Sequence, residues 1–167
     1  MIEMIEESTR EYEDFLISHP RGTLFQSGLW RGVKAAWGWR AILYRRDGII
    51  TASMAILIRH IPGTPWKLFY SPRGPVYDEG DFTALSALTQ AVRVLGQRER
   101  ACLLKLDPDV LISDEAFQRS MQQLGYRLLP ETWAFERIQP QHLARIDLRD
   151  LDQAAVLRGM KQKTRYN

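Results

Sequence analysis

Lys67 to Asp78, KLFYSPRGPVYD, restricts this chain more than any other stretch. An apolar strand through Leu68, Phe69 and Tyr70 runs into Ser71-Pro72-Arg73-Gly74-Pro75. Each proline fixes φ and removes a backbone donor, so the segment reads as a rigid loop and not as a flexible linker. Leu103 to Val110, LLKLDPDV, repeats the pattern, with an apolar strand stopping at Asp107-Pro108. Two buried strands that end in rigid polar loops either frame a cleft at one end of a sheet or are simply two well-made turns.

The 167 residues suit one domain with a core that needs no covalent staple. Apolar runs such as Thr51 to Ile58 are far too short to span a bilayer, which predicts a protein not integral to the membrane. The acidic start, MIEMIEESTREYEDF, lacks the basic head and apolar middle of a signal peptide. The single cysteine, Cys102, falls in the apolar run Ala101 to Leu106 and is expected in the core, in a reducing compartment. Those features place the protein in the cytoplasm. Charge is uneven along the chain. Arg158, Lys161, Lys163 and Arg165 crowd the carboxyl end, where they either contact phosphates or complement a helix dipole.

A weak first strand is expected at Ile2 to Ile5. Ser8 with Glu11 predicts a capping box for a helix that Pro20 stops. Ser27 caps a second helix from Gly28 to Trp37, with Trp30, Val33 and Trp37 on its apolar face and Gly38 ending it. Strands follow from Trp39 to Arg46 and from Ile49 to Ile58, joined by the hairpin signal Asp47-Gly48. After the strand ending at Tyr70, Asp81 caps a long helix with Leu85, Leu88, Val92 and Leu95 on its buried stripe. A strand from Ala101 to Leu106 precedes a helix capped by Ser113, in which Phe117 and Met121 face inward. Short strands are expected at Tyr126 to Leu129, Thr132 to Ile138 and Arg145 to Leu148. A closing helix runs from Leu151 toward Lys163.

That order is the order of a GNAT-like α/β fold, a mixed sheet with helices on both faces. Residues 1–150 form the GNAT-like domain and 151–167 the closing helix. Trp30, Val33, Phe69, Leu88, Val92, Leu104 and Phe117 are expected to be buried. The central strands of such a sheet splay, here those stopping at Ser71 and Asp107.

Four residues are candidates for chemistry. Lys34, on the tryptophan-bearing helix face, either snorkels to water or meets an anion such as a diphosphate. Asp107, at a strand end, either accepts a proton from an attacking amine or caps a turn. Arg73 binds an anion or bonds to loop carbonyls, and Tyr70 lines the cleft or packs. No His/Cys cluster has metal-ligand spacing, so no metal is expected. The loop Pro72-Arg73-Gly74-Pro75 has too few backbone donors to cradle the pyrophosphate of coenzyme A, so no cofactor is expected.

Several segments together resemble the FemABX aminoacyltransferases. They are Gln26-Ser27 leading to Trp30 and Lys34, Trp37-Gly38-Trp39, Tyr70 to Val76, and Leu104 to Pro108. Ile138-Gln139-Pro140, Asp147-Leu148 and Met160 to Asn167 complete the series. The resemblance implies transfer of an amino acid from aminoacyl-tRNA to the stem peptide of a UDP-linked or lipid-linked muropeptide precursor. It implies that Lys34 contacts the precursor's diphosphate and that Asp107 lies near the stem peptide. Family members carry a second GNAT-like domain beyond the Lys-Thr-Arg-Tyr-Asn segment, so the expectation is an amino-terminal half, inactive alone. Self-association through an exposed carboxy-terminal surface is a further expectation. The alternatives are a non-catalytic muropeptide-binding module and a small-molecule N-acyltransferase.

Overall fold

The computed structural model describes residues 1–129 and 150–166. In chain order, the first unit holds β1 (Ile2–Ile5), α1 (Arg10–Ser18), α2 (Gly28–Val33), β2 (Gly38–Arg46) and β3 (Ile49–His60). It continues with β4 (Lys67–Arg73), β5 (Val76–Tyr77), α3 (Phe82–Glu99), β6 (Ala101–Pro108) and α4 (Glu115–Gln123). The sheet order is β1-β2-β3-β4-β6, with β5 added to β3. All pairings are antiparallel except β4–β6, whose crossover is α3.

Side chains alternate between the two faces of the strands, and each face is covered. Ile42, Met54, Ile56 and Phe69 pack against Leu85, Leu88, Val92 and Leu95 of α3. On the opposite face Ala41, Leu43, Ala55, Leu57 and Tyr70 pack against Tyr12 and Leu16 of α1. The mixed sheet with helices on both faces is therefore as expected. So is the β2–β3 turn, where Asp47 and Gly48 take φ of 48° and 82°, the positive pair a type I′ hairpin needs. Asp81 caps α3 by accepting from the Ala84 amide at 3.0 Å.

Several boundaries differ from the sequence reading. Thr9, not Ser8, caps α1, because the Ser8 hydroxyl is turned to the Glu13 carboxylate. Helix α2 stops at Val33, since Lys34 leaves helical geometry at ψ 43° and the chain turns over 34–37. Gly38 accordingly opens β2 instead of closing α2. The shortened helix leaves Val33 65% exposed and Trp30 half-buried. Leu104 and Phe117 are half-buried also, packed on the α3-side core. Cys102 is exposed, not buried. Lys67 pairs with Ala101 and Leu68 with Leu103, so an irregularity at Cys102 turns two consecutive residues outward. Asp114 rather than Ser113 caps α4, accepting from the Phe117 amide at 2.9 Å.

Tyr126 to Leu129 forms no strand. The strands expected at Thr132 to Ile138 and Arg145 to Leu148 lie outside the described residues. In the second unit the expected single closing helix is two, α5 (Gln153–Gly159) and α6 (Gln162–Arg165), because Met160 and Lys161 are extended between them.

Candidate active site

Strand β4 does not break at Ser71. It continues through Pro72 to Arg73, and its parallel register with β6 reaches Pro72↔Asp107 and Arg73↔Pro108. The strands expected to splay stay paired, and the Asp107 carboxylate is the reason. Its Oδ1 accepts the backbone N–H of Arg73 at 2.8 Å, and its Oδ2 accepts the Tyr70 hydroxyl at 3.1 Å. One side chain thus ties together the ends of two strands. Arg73 is held at φ 52°, a left-handed conformation that costs a non-glycine residue and persists only where surroundings enforce it.

On its other edge β4 has lost its antiparallel neighbour. β3 pairs with β4 from Leu57↔Tyr70 to His60↔Lys67, and with β5 at Ala52↔Tyr77 and Ser53↔Val76. The span between has Pro72 and Pro75, which carry no N–H, across from Ala55. Gln26 fills that gap. Fully buried, its Oε1 accepts the Ala55 N–H at 2.8 Å, and its Nε2 donates to the Pro72 carbonyl at 2.6 Å and to Ser71 Oγ at 3.2 Å. A side-chain amide here replaces the missing strand residue, as the need to satisfy buried backbone groups demands. Gly74 is required beside it, because a Cβ there would lie 2.6 Å from Gln26 Nε2 and 2.4 Å from Ser71 Oγ.

Helix α1 holds Gln26 in place. The Tyr12 hydroxyl donates to the Gln26 carbonyl at 2.9 Å, and burial pushes that phenol far up, so it remains a donor. Glu13 accepts the Gly28 amide at 2.9 Å and the Ser27 hydroxyl at 2.7 Å, anchoring the start of α2.

The structure brings three of the four predicted residues together: Tyr70, Arg73 and Asp107. Lys34 is joined to them only indirectly. Its Nζ lies 5.8 Å from the centroid of the Trp30 ring, and Trp30 packs against the cluster that contains Tyr70. Tyr77 is core, with the Arg21 guanidinium 5.4 Å from its ring centroid. A groove of about 350 Å³ on the α3 side, lined by Phe69, Val92, Gly96, Leu104 and Tyr126, does not include the carboxylate.

Asp107 is partly buried, and that burial pushes its carboxyl above the ordinary aspartate range. The bonds from the Arg73 amide and the Tyr70 hydroxyl act the other way without cancelling it. A carboxylate raised in this manner is a better proton acceptor than a solvated one. Gln26 and Glu13 were not singled out for any structural role in the sequence, where Gln26 figures only within a resemblance. The local signal for such a residue was the donor-poor Pro72-Arg73-Gly74-Pro75 segment, which needs a polar partner from elsewhere in the chain.

Comparison with known proteins sets this geometry in context. The model of the FemAB family matches residues 8–167. A lipid II:glycine glycyltransferase of Staphylococcus aureus (strain bovine RF122 / ET3-1) is 34% identical over 124 residues, 72% of this chain and 29% of that protein. The same enzyme from strain USA300 is 33% identical over the same length. The crystal structure of FemX superposes with a TM-score of 0.77 at 27% identity, covering 98% of this chain and 42% of that one. An aminoglycoside N-acetyltransferase in complex with CoA gives a TM-score of 0.55 at 16% identity over 82% of this chain and 98% of that one. That likeness shows the GNAT fold alone. The chain spans 29% of the length of the glycyltransferase it matches. By the extent of the family match, carried on a GNAT-like sheet, this chain belongs to the FemAB family.

Proposed function

We propose that the chain is the precursor-binding half of an aminoacyltransferase that works in the cytoplasm. The transferase moves an amino acid from aminoacyl-tRNA onto the stem peptide of a lipid-linked or UDP-linked peptidoglycan precursor. The observation that carries this reading is the Asp107 carboxylate, raised by burial and aimed by Tyr70 and the Arg73 amide at the end of two paired strands. In the reaction a stem-peptide amine attacks the ester carbon of the charged tRNA. A C–N bond forms, the C–O bond to the ribose breaks, and the proton lost by the amine passes to Asp107 and from there to the ribose oxygen, which leaves as the free hydroxyl of the tRNA. Lys34 supplies a compact positive charge for the precursor's diphosphate, and Arg73 a second cation for the anionic head.

Titration calorimetry with a UDP-linked muropeptide tests the binding half of this reading. Lys34→Ala is expected to weaken the affinity by about 1.5–3 kcal/mol, the worth of a hydrogen bond to a charged group. Unchanged affinity would remove Lys34 from the site. The matched region is 42% of the FemX chain, and catalysis requires both substrates in one geometry. The 167-residue polypeptide is therefore expected to bind precursor without transferring a labelled amino acid from charged tRNA. Turnover at the rate of a longer relative would show that this portion suffices.

A further inference from the structure

The end of the sheet opposite Asp107 has a chemistry that precursor binding does not use. The β3–β4 turn, Ile61 to Trp66, projects there, closed by the Ile61 N–H donating to the Trp66 carbonyl at 3.0 Å. Its residues are exposed, and four of the six are apolar: Ile61, Pro62, Pro65 and Trp66, the last 49% exposed. Beside it Arg59 lies with its guanidinium 5.4 Å from the centroid of the half-buried Trp37 ring. The Arg100 carbonyl accepts the Lys67 amide at 3.0 Å, which brings the end of α3 to the same place.

Charge at this end is mainly positive, with Glu6 paired to Arg40 at 3.1 Å. From Gly28 to Tyr77 the only acidic residue is Asp47, and Asp47 sits in the β2–β3 turn at the other end of the sheet. Lys67 is neutralised by Glu99. Arg59 and Arg100 have no carboxylate within ion-pair distance among the described residues. Exposed tryptophan and isoleucine set among unneutralised cations match the boundary between lipid headgroups and acyl chains. A nucleic acid would use the cations and could stack a base on Trp66, but Ile61, Pro62 and Pro65 of the same tip offer it neither charge nor an aromatic face.

We propose that the β3–β4 turn, with the adjoining Trp37–Arg59 stack, docks on an anionic lipid bilayer. Among the described residues no helix is long and apolar enough to cross a membrane, so the contact is peripheral. The purpose of this surface rests on the precursor reading above. Helix α2 leads from Gln26, bonded to Ala55 and Pro72, toward Trp37 under Arg59, so Lys34 is carried between the membrane-facing end and the Asp107 end. From Lys67 to Arg73 the strand extends about 20 Å at roughly 3.3 Å per residue. A precursor anchored in the bilayer would rise along that length, diphosphate near Lys34 and stem peptide near Asp107.

The test is flotation of the 167-residue chain with precursor-free vesicles of phosphatidylcholine, with and without one-quarter phosphatidylglycerol. Binding is expected to the anionic vesicles, at least about tenfold stronger than to the neutral ones and weakened by salt. Ile61→Ser/Trp66→Ser is expected to lower it about tenfold or more, with an unchanged thermal melt. Brominated lipids should quench tryptophan fluorescence in the unaltered protein, a readout that needs no variant. No vesicle binding, equal binding by the double variant, or binding to uncharged tRNA in place of vesicles would each overturn the proposal. Calorimetry with the soluble UDP-linked muropeptide separates the two readings. Muropeptide binding without vesicle binding defeats the docking surface alone, and vesicle binding without muropeptide binding defeats the precursor reading alone.

Discussion

Gln26→Ala is expected to cost about 2–6 kcal/mol of unfolding free energy, since it orphans two buried backbone groups at about 1–3 kcal/mol each. Those groups are the Ala55 N–H and the Pro72 carbonyl, now satisfied at 2.8 and 2.6 Å. The loss is a large share of the roughly 5–15 kcal/mol by which a domain is stable. Gln26→Glu should not rescue it, because a carboxylate accepts from Ala55 but offers Pro72 only repulsion. Gly74→Ala attacks the same contact from outside, putting a methyl 2.6 Å from the Gln26 amide nitrogen; overpacking of this kind costs about 1–3 kcal/mol. The two changes are expected to couple. Truncating Gln26 relieves one of the two clashes of the Gly74 methyl and leaves that with Ser71 Oγ at 2.4 Å, so the double variant should be somewhat more stable than the sum of the single losses predicts. Urea denaturation of the four proteins of the cycle measures this, and strict additivity would show that Gly74 and Gln26 do not meet.

At Asp107 the two informative substitutions should act in opposite directions. Asp107→Ala removes the acceptor for the Arg73 amide and the Tyr70 hydroxyl, bonds to a charged group worth about 1.5–3 kcal/mol each. It also releases Arg73 from φ 52°. Asp107→Asn keeps an oxygen for the Arg73 amide and an NH₂ that Tyr70 Oη can accept. The sign of its pH dependence follows from burial. The folded pKa is raised, so the folded state holds its proton more tightly than the unfolded chain does. The stability this contributes is present in full below the unfolded value, about 3.9, and is lost as pH rises through the folded value. At neutral pH the carboxylate is a net cost relative to a neutral isostere. Asp107→Asn should therefore match or exceed the parent at pH 7, with its advantage shrinking as pH falls toward 4. Where the proposed transfer is reconstituted, the same variant should lose about 10²–10⁴-fold in rate, the worth of the general base proposed for Asp107. A variant less stable than the parent at pH 7 but equal at pH 4 would reverse the assignment of burial as the dominant influence.

Local chemistry was readable where a residue's effect is spent within a few neighbours. Asp47-Gly48 and the Asp81 cap act through their own dihedrals or an adjacent amide, and the α3 stripe follows from helical period alone. Val33 was misread because helical spacing predicts a face only while the helix lasts, and Val33 is the last residue of α2. The strand of β4 was expected to end at Tyr70 and break at Ser71, because the proline that follows cannot donate to a ladder. The strand survives since its β6 partner contributes a side-chain carboxylate. Cys102 looked buried because an apolar run carries no mark of the irregularity that displaces it. The candidate site was half legible. Asp107, Tyr70 and Arg73 lie on the two stretches that stood out, whereas Gln26 acts on groups 29 to 46 residues away. No window of sequence shows such a contact.

The parallel pairing of β4 with β6 has a consequence for the order in which the chain folds. β2, β3 and β4 are joined by short turns, so their antiparallel ladders close cheaply and early. β6 must wait for all of α3 to form and dock. Until then β4 is the open edge of a sheet rich in Ile, Leu and Met, the kind of edge on which nascent chains pair with one another. Lys67 places a charge at the start of that edge, and the Arg73 amide at its far end stays unpaired until Asp107 arrives to accept it. Guarding the half-folded chain against aggregation thus falls to the charge on Lys67, at the end of β4 away from the site.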